Sequence, residues 1–257
     1  MQASERRKPF YRKIAFVSGG SRGIGFAIAQ KLAERGSHIV FTYLRSRSDA
    51  QEAEKKLSSH RIRVVSIRAN MGNQDQVRKV FETIQKEFGA LDFLVHNAAT
   101  GDLKPVLNFT QEEWQRTMDI NLNALLLCAQ LGAPLMKGRH GKIVSISSHG
   151  SIRCLPDYSA VGVAKAAMES LSRYLALELA PKGINVNVVM AGTTDTRSLR
   201  GIPGHEEMIH EAKTRTPTGR IGHPEDIASV VTFLCSEESR WVVGQTIVAD
   251  GGYSILA

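Results

Sequence analysis

Three cysteines in 257 residues, Cys128, Cys154 and Cys235, are too few and too scattered for a disulfide framework or a zinc site. No metal is expected, and a reducing, cytoplasmic setting is. The chain also lacks any apolar run of about 18 residues or more, so no membrane span is expected. Its first residues, MQASERRKPFYRK, are basic, but no apolar core follows them as it would in a secretory signal. Aromatics make up only 6% of the chain. The basic clusters at Arg6, Arg7, Lys8, Arg12 and Lys13, and again at Arg45 and Arg47, lack the interleaved aromatics that stack bases. Nucleic acid is therefore not an expected partner. Repeats of 20–50 residues and low-complexity stretches are also missing.

What is present is a folding composition. Apolar residues are 42% and charged residues 23%, with 33 Lys and Arg against 25 Asp and Glu, a formal net charge of +8. That is too apolar for a disordered chain, and the length suits one large domain. We read one domain over residues 1–257, with a basic tail over 1–11.

Short β-branched runs alternate with amphipathic stretches. Strands are expected at Ile14–Val17, His38–Thr42, Arg63–Ile67, Leu91–Val95, Lys142–Ser147, Ile184–Met190 and Thr246–Val248. Helices are expected at Gly23–Arg35, around Ala50–Leu57, and at Gln74–Phe88, Gln111–Met136 and Tyr158–Leu179. Alternation of this kind gives a doubly wound α/β domain, a parallel sheet with helices on both faces. The stretch from Ala191 to Asp226 holds Pro203, Pro217 and Pro224 and reads as irregular. Lying after the sixth strand, residues 193–222 are expected to cover a substrate as a lid. The stripe Trp114, Met118, Leu122 and Leu126 reads as core or subunit interface.

After the first strand the chain runs Ser18-Gly19-Gly20-Ser21-Arg22-Gly23-Ile24-Gly25. Glycines at this spacing allow a tight turn and close approach to a pyrophosphate. The helix that opens at Gly23 offers free N–H groups and the positive end of its dipole. The second strand ends in Thr42-Tyr43-Leu44-Arg45-Ser46-Arg47, with no carboxylate before Asp49. An acid there would bind the 2′-hydroxyl of NAD, whereas Arg45, Ser46 and Arg22 suit a 2′-phosphate. NADP(H) is the expected cofactor.

The chain resembles the short-chain dehydrogenase/reductase family from about Arg12 to its C-terminus. Besides the glycine turn, the resemblance rests on His96-Asn97-Ala98-Ala99, Asn121, the stretch Ala191-Gly192-Thr193-Thr194-Asp195-Thr196, and Asp250-Gly251-Gly252. His96 and Ala191 depart from the family's usual residues. The resemblance implies strand order 3-2-1-4-5-6-7 and a homodimer or homotetramer formed through the fourth and fifth helices. It implies a structural and proton-relay role for Asn121 and contact of Asn70 with the adenine. It further implies that Thr194 and Thr196 hold the carboxamide and phosphates, and that Met71, Asn97, Ala98 and Gly192 line the cofactor site.

Most of that family carries Y-x-x-x-K; this chain has Tyr158 seven residues before Lys165. Positions i and i+7 differ by about 20° around a helix, so one face still carries both. Ser148 lies seventeen before Lys165, the family's usual interval, so the tyrosine has slid toward the N-terminus and Val161 stands in its ordinary place. The altered spacing resembles divergent enoyl reductases, most of all enoyl-[acyl-carrier-protein] reductase III. By that resemblance the chain reduces an enoyl thioester on carrier protein or coenzyme A, in fatty-acid or related lipid metabolism. Hydride goes to the β carbon and Tyr158 stabilises the enolate. Lys165 is expected to bind the nicotinamide ribose and lower the Tyr158 pKa. Ser148, where many enoyl reductases have a second tyrosine, instead favours a carbonyl reductase of a 3-oxoacyl thioester, polyketide or steroid. A catalytically silent NADP-binding scaffold is a third reading. His149 beside Ser148 lacks a G-x-S-x-G elbow, so no hydrolase is expected. Cys154 reads as a small apolar filler. Arg197, Arg200, Lys213 and Arg215 form a basic rim suited to an acidic carrier protein or to coenzyme A phosphates.

Overall fold

The computed structural model describes residues 8–202 and 204–256. Arg6, Arg7 and Pro203 of the expectations above lie outside them. Seven parallel strands form one sheet in the order β3-β2-β1-β4-β5-β6-β7. They are β1 Ile14–Val17, β2 His38–Tyr43, β3 Val64–Arg68, β4 Phe93–His96, β5 Lys142–Ser148, β6 Asn185–Ala191 and β7 Thr246–Ala249. All seven expected strands are there, with ends shifted by one or two residues.

Strand alternation explains why both faces are covered. Ala15 and Val17 of β1 enter one core cluster, while Ile14 and Phe16 enter the other. The first cluster is capped by α1 (Gly23–Glu34), α2 (Arg47–Ser58) and α9 (Pro224–Leu234), through Ile28, Leu57 and Val231 among others. The second is capped by α3 (Gln74–Phe88), α5 (Ala124–Gly132) and α6 (Ser159–Leu179), through Phe81, Leu125 and Met168. Buried on both sides, the five inner strands are near-continuous apolar runs, whereas the edge strands β3 and β7 are only half-buried.

Four features differ from the sequence expectation. Within the basic tail expected over 1–11, Phe10 is buried and meets the Phe93 ring edge-on at 4.9 Å. The helix expected over 111–136 is broken. It runs as α4 (Gln111–Met118), a π-helical turn (Asp119–Asn123), α5, and a 3-10 turn (Ala133–Met136). The Asn121 side-chain amide donates to the Thr117 carbonyl at 2.8 Å, competing with the backbone ladder where the turn widens. Along the apolar stripe, Leu122 joins the core while Leu126, beyond the turn, is exposed.

The stretch expected to be irregular contains α7 (Arg197–Arg200) and α8 (His205–Arg215). Leu199, Ala212 and Ile221, with Ile202 and Ile209, give it a small core of its own. Helix α9 was missed, although Pro224 at its start and Asp226, whose carboxylate accepts from the His223 N–H at 2.8 Å, are ordinary start signals.

Candidate active site

Strand order reverses between β1 and β4, which sit side by side, and a crevice opens at the carboxyl ends of such strands. A cleft of about 510 Å³ lies there. Its wall includes every residue expected to hold the cofactor: Gly19, Ser21, Arg22, Gly23, Ile24, Gly25, Arg45, Ser46, Asn70, Met71, Asn97, Ala98, Lys165, Gly192, Thr194 and Thr196. Ser148 and Tyr158 line it too.

The glycine turn is built for close approach. Gly19 has φ +68°, the left-handed region. A Cβ on Gly25 would stand 2.2 Å from the Gly19 carbonyl oxygen and 2.5 Å from Asn97 Nδ2. Asn97 Nδ2 donates to the Ser18 carbonyl at 2.9 Å, and the Ser18 hydroxyl accepts from the N–H groups of Asn97 and Ala98. The first and fourth strand ends are thereby tied together. Helix α1 starts without a side-chain cap and without an acid in its first turn. Its N–H groups and positive dipole end stay uncompensated toward the cleft, which fits a dinucleotide pyrophosphate.

At the other end, Arg45 is exposed and Ser46 caps α2, accepting from the Asp49 N–H at 3.1 Å. Sequence reasoning passed over Asp49 and the Thr42 hydroxyl. Arg197 donates to both Asp49 oxygens at 3.2 Å, and Arg22 lies 3.8 Å from the same carboxylate. Thr42 Oγ1 accepts from the Gly19 N–H at 3.1 Å. The basic rim is correspondingly less free than its charge count implies: Arg197 pairs with Asp49, Arg200 with Asp195 and Arg215 with Glu211.

Tyr158 occupies the N-cap of α6, one residue outside the helix, and its carbonyl accepts the Gly162 N–H at 2.8 Å. Its Oη lies 3.3 Å from Ser148 Oγ. Lys165 is 4% exposed and donates from Nζ to the Ile146 carbonyl at 2.7 Å. Burial lowers its pKa to about 8, opposed by Glu169. The expectation that the lysine depresses the tyrosine is not met. Burial pushes the Tyr158 phenol up, and the Ser148 hydrogen bond pulls it only partly back. The phenol is thereby kept in its neutral form.

Asn121 does not line the cleft. It is fully buried, its Nδ2 donating to the carbonyls of Thr100 and Thr117. Its own carbonyl lies 3.1 Å from His96 Nε2. A carbonyl only accepts, so His96 carries its proton on Nε2. Burial and the neighbouring Lys165 hold the His96 pKa at about 3. Cys154 is exposed and not a core filler, whereas Cys128 and Cys235 are buried and burial raises both thiols. His149 is engaged away from Ser148: its Nε2 meets Asp250 at 3.0 Å and its ring stacks on Tyr253 at 5.2 Å. Among the described residues no metal-ligating cluster occurs, and no helix is long and apolar enough to cross a membrane.

Comparison with known proteins adds to this geometry. A family model described as "Enoyl-(Acyl carrier protein) reductase" matches residues 19–254. A 1-cyclohexenylcarbonyl-CoA reductase of Streptomyces collinus is 35% identical, over 96% of this chain and 88% of that protein. A 3-oxoacyl-[acyl-carrier-protein] reductase of Staphylococcus aureus is 32% identical, over 93% of this chain and 97% of that protein. The crystal structure of a short chain dehydrogenase from Burkholderia cenocepacia, in complex with NADP, superposes with a TM-score of 0.89. It is 31% identical, over 96% of this chain and 99% of that one.

Proposed function

The chain belongs to the short-chain dehydrogenase/reductase family of oxidoreductases, and on that footing we propose that it is an NADPH-dependent reductase of an enoyl thioester. The observation that carries this reading is the tyrosine at the N-cap of α6, seven residues before Lys165, with Val161 buried where the family's usual tyrosine would stand. The family model that matches and the Streptomyces relative support the same substrate class.

The residues that would hold NADPH are the glycine turn and the start of α1 for the pyrophosphate, and Arg22, Arg45 and Ser46 for the 2′-phosphate. Asn70 and Met71 would take the adenine side, and Lys165, Thr194 and Thr196 the nicotinamide side. When bound, NADPH supplies a hydride. Tyr158, neutral and held against Ser148, donates a hydrogen bond to the thioester oxygen as negative charge develops on it. Lys165 supplies a positive charge to the nicotinamide side of the cleft. Asn121 acts as a positioning residue, fixing the strand end through Thr100. Residues 193–222 form the lid, and α4, α5 and α6 the surface for a second copy. An acyl carrier protein or coenzyme A presents the substrate, in the cytoplasm.

A carbonyl reductase is the second reading. It is favoured by the Ser148–Tyr158 pair, which suits orientation of a ketone, and by the Staphylococcus relative. The two readings part in one assay. NADPH absorbance is followed with crotonyl and acetoacetyl thioesters, each on coenzyme A and on carrier protein, with NADH as control. Oxidation with crotonyl alone is the expected result; oxidation with acetoacetyl alone overturns it in favour of the second reading. Binding of NADPH with turnover of neither leaves a silent scaffold.

A further inference from the structure

Three consecutive residues of β5 each hold one residue of the α6 segment. The Ile146 carbonyl accepts from Lys165 Nζ at 2.7 Å, and the Ser148 hydroxyl meets Tyr158 Oη at 3.3 Å. Between them, the Ser147 hydroxyl donates to a carboxylate oxygen of Glu169. Glu169 stands four residues after Lys165, one turn along the same helix face, and is 7% exposed. A buried carboxyl at this place has no part in the mechanism above.

We propose that Glu169 is a positioning residue for the reductase just described: pinned by Ser147, its carboxylate is the counter-charge that keeps Lys165 an ammonium in the cleft wall that Tyr158 also lines. A buried ammonium with no partner charge loses its proton. Among the described acids of α6 and the elements packed against it, Glu169 is the buried one. From β4 comes His96, neutral, with its proton directed at the Asn121 carbonyl. From β5 come the serines Ser145, Ser147 and Ser148, with Lys142 at the opposite end of the strand; from the turn after β5 comes His149, held by Asp250 at 3.0 Å; and from β6 the uncharged Asn187. From the π-turn, Asn121 is uncharged and Asp119 is taken up by Gln115 and Asn123. On α4, Glu113 pairs with Lys104 and Arg116 with Asp102. From the α6 segment itself come Tyr158 and Glu169. Burial and Glu169 act on Lys165 in opposite senses, and the balance falls near pH 8.

The test is titration of Lys165 by NMR in protein labelled at lysine 13Cε, its signal assigned by absence in Lys165→Met. Wild type, Glu169→Gln and Glu169→Asp are compared, each checked for folding by circular dichroism. Gln keeps an acceptor for Ser147 and removes the charge; Asp keeps the charge. The expected result is a wild-type midpoint near about 8, a fall of ~1–3 units in Glu169→Gln, and little change in Glu169→Asp. The alkaline limb of kcat/KM moves down with the midpoint in Glu169→Gln. Equal midpoints in wild type and Glu169→Gln overturn the proposal, as does an equal fall in both variants. If Glu169→Gln does not fold, the wild type decides. A midpoint below about 7 overturns the proposal, and one near 8 or above sustains it. The titration needs no substrate, so it stands apart from failure of the reductase reading, which appears only as absent NADPH oxidation.

Discussion

Gly150→Ala puts one methyl group against the ring proposed to hydrogen-bond the thioester oxygen. A Cβ at Gly150 would lie 2.5 Å from both Cδ1 and Cε1 of Tyr158. Carbon atoms settle at about 3.5–4.0 Å, so the ring must retreat by ~1 Å or more. Its Oη starts 3.3 Å from Ser148 Oγ, already long for an O–H···O bond, and that retreat breaks the contact. A misplacement of ~1 Å in a catalytic group costs on the order of 10²-fold in rate, about 2.7 kcal/mol. Overpacking adds a stability cost of ~1–3 kcal/mol.

Gly150 is not part of the cleft wall, so NADPH affinity should hold. The assay is kcat on whichever thioester the wild type reduces, with NADPH Kd measured by fluorescence. Tyr158→Phe completes a cycle. If the methyl acts by moving the phenol, Gly150→Ala costs about 10²-fold in the wild type and little more in Tyr158→Phe. A Gly150→Ala enzyme with wild-type kcat and a lowered Tm refutes the reasoning, because the backbone would then have moved and not the ring.

Arg45→Ala should raise the NADPH Kd by about 10- to 100-fold through loss of a charge-assisted hydrogen bond, and leave NADH nearly unchanged; equal weakening of both sinks the 2′-phosphate assignment. His96 carries a folded pKa of about 3 against an ordinary 6.5. Its contribution is present above pH 6.5 and is lost as pH falls toward 3, at about 1.4 kcal/mol per unit. At pH 5 the wild type should lose ~2 kcal/mol more than His96→Asn relative to pH 7, measured by urea unfolding; parallel losses contradict it. Asp92, fully buried, accepts from Lys13, Arg139 and the Ile14 N–H at 2.8–3.0 Å. Both cations are about one-third exposed, so Asp92→Ala should cost about 3 kcal/mol, the lower end for a broken buried pair, and lower Tm by ~6–12 °C. A fall under ~2 °C would place the stability elsewhere.

The strands were legible because a parallel sheet buried on both faces leaves uninterrupted β-branched runs, as in Ile143–Ile146 and Val186–Met190. That these residues wall one cleft was legible because its glycines, asparagines and threonines follow strand ends, where chain order brings them together. Three features were not. The π-turn depends on one amide, Asn121 Nδ2, reaching back to Thr117, and no periodicity encodes that. The helices after β6 are stabilised by a five-residue cluster too small to impose a stripe on the sequence. Asp49 and Glu169 are ordinary surface-type residues in the sequence, and Arg197 stands there only as a rim charge. Their importance comes from what lies across space: Arg197 is 148 residues from Asp49, and Ser147 is 22 from Glu169. The Tyr158 pKa failed for a similar reason. The expected cation is present, but its Nζ is turned to a carbonyl of β5, and burial decides the direction.

The displaced tyrosine is more than a shift of three letters, because small residues on three segments have to agree with it. Val161, in the place ordinarily held by a phenol, is buried with Cγ2 against Gly101, where a Cβ would stand only 2.1 Å away. That contact fills the space and closes it to a ring. One turn earlier the Tyr158 ring lies over Gly150, while Gly162 packs on the Gly150 carbonyl, its missing Cβ 2.6 Å from that oxygen. Asp157, at φ +59°, turns the chain so that Tyr158 enters α6 from outside the helix and not along it. Gly101, Gly150 and Gly162 therefore form one packing solution with Val161 and Tyr158. Altering the tyrosine spacing alone, without the glycines, leaves either a clash or a void. Placement of the phenol on this fold is accordingly a property of that five-residue set.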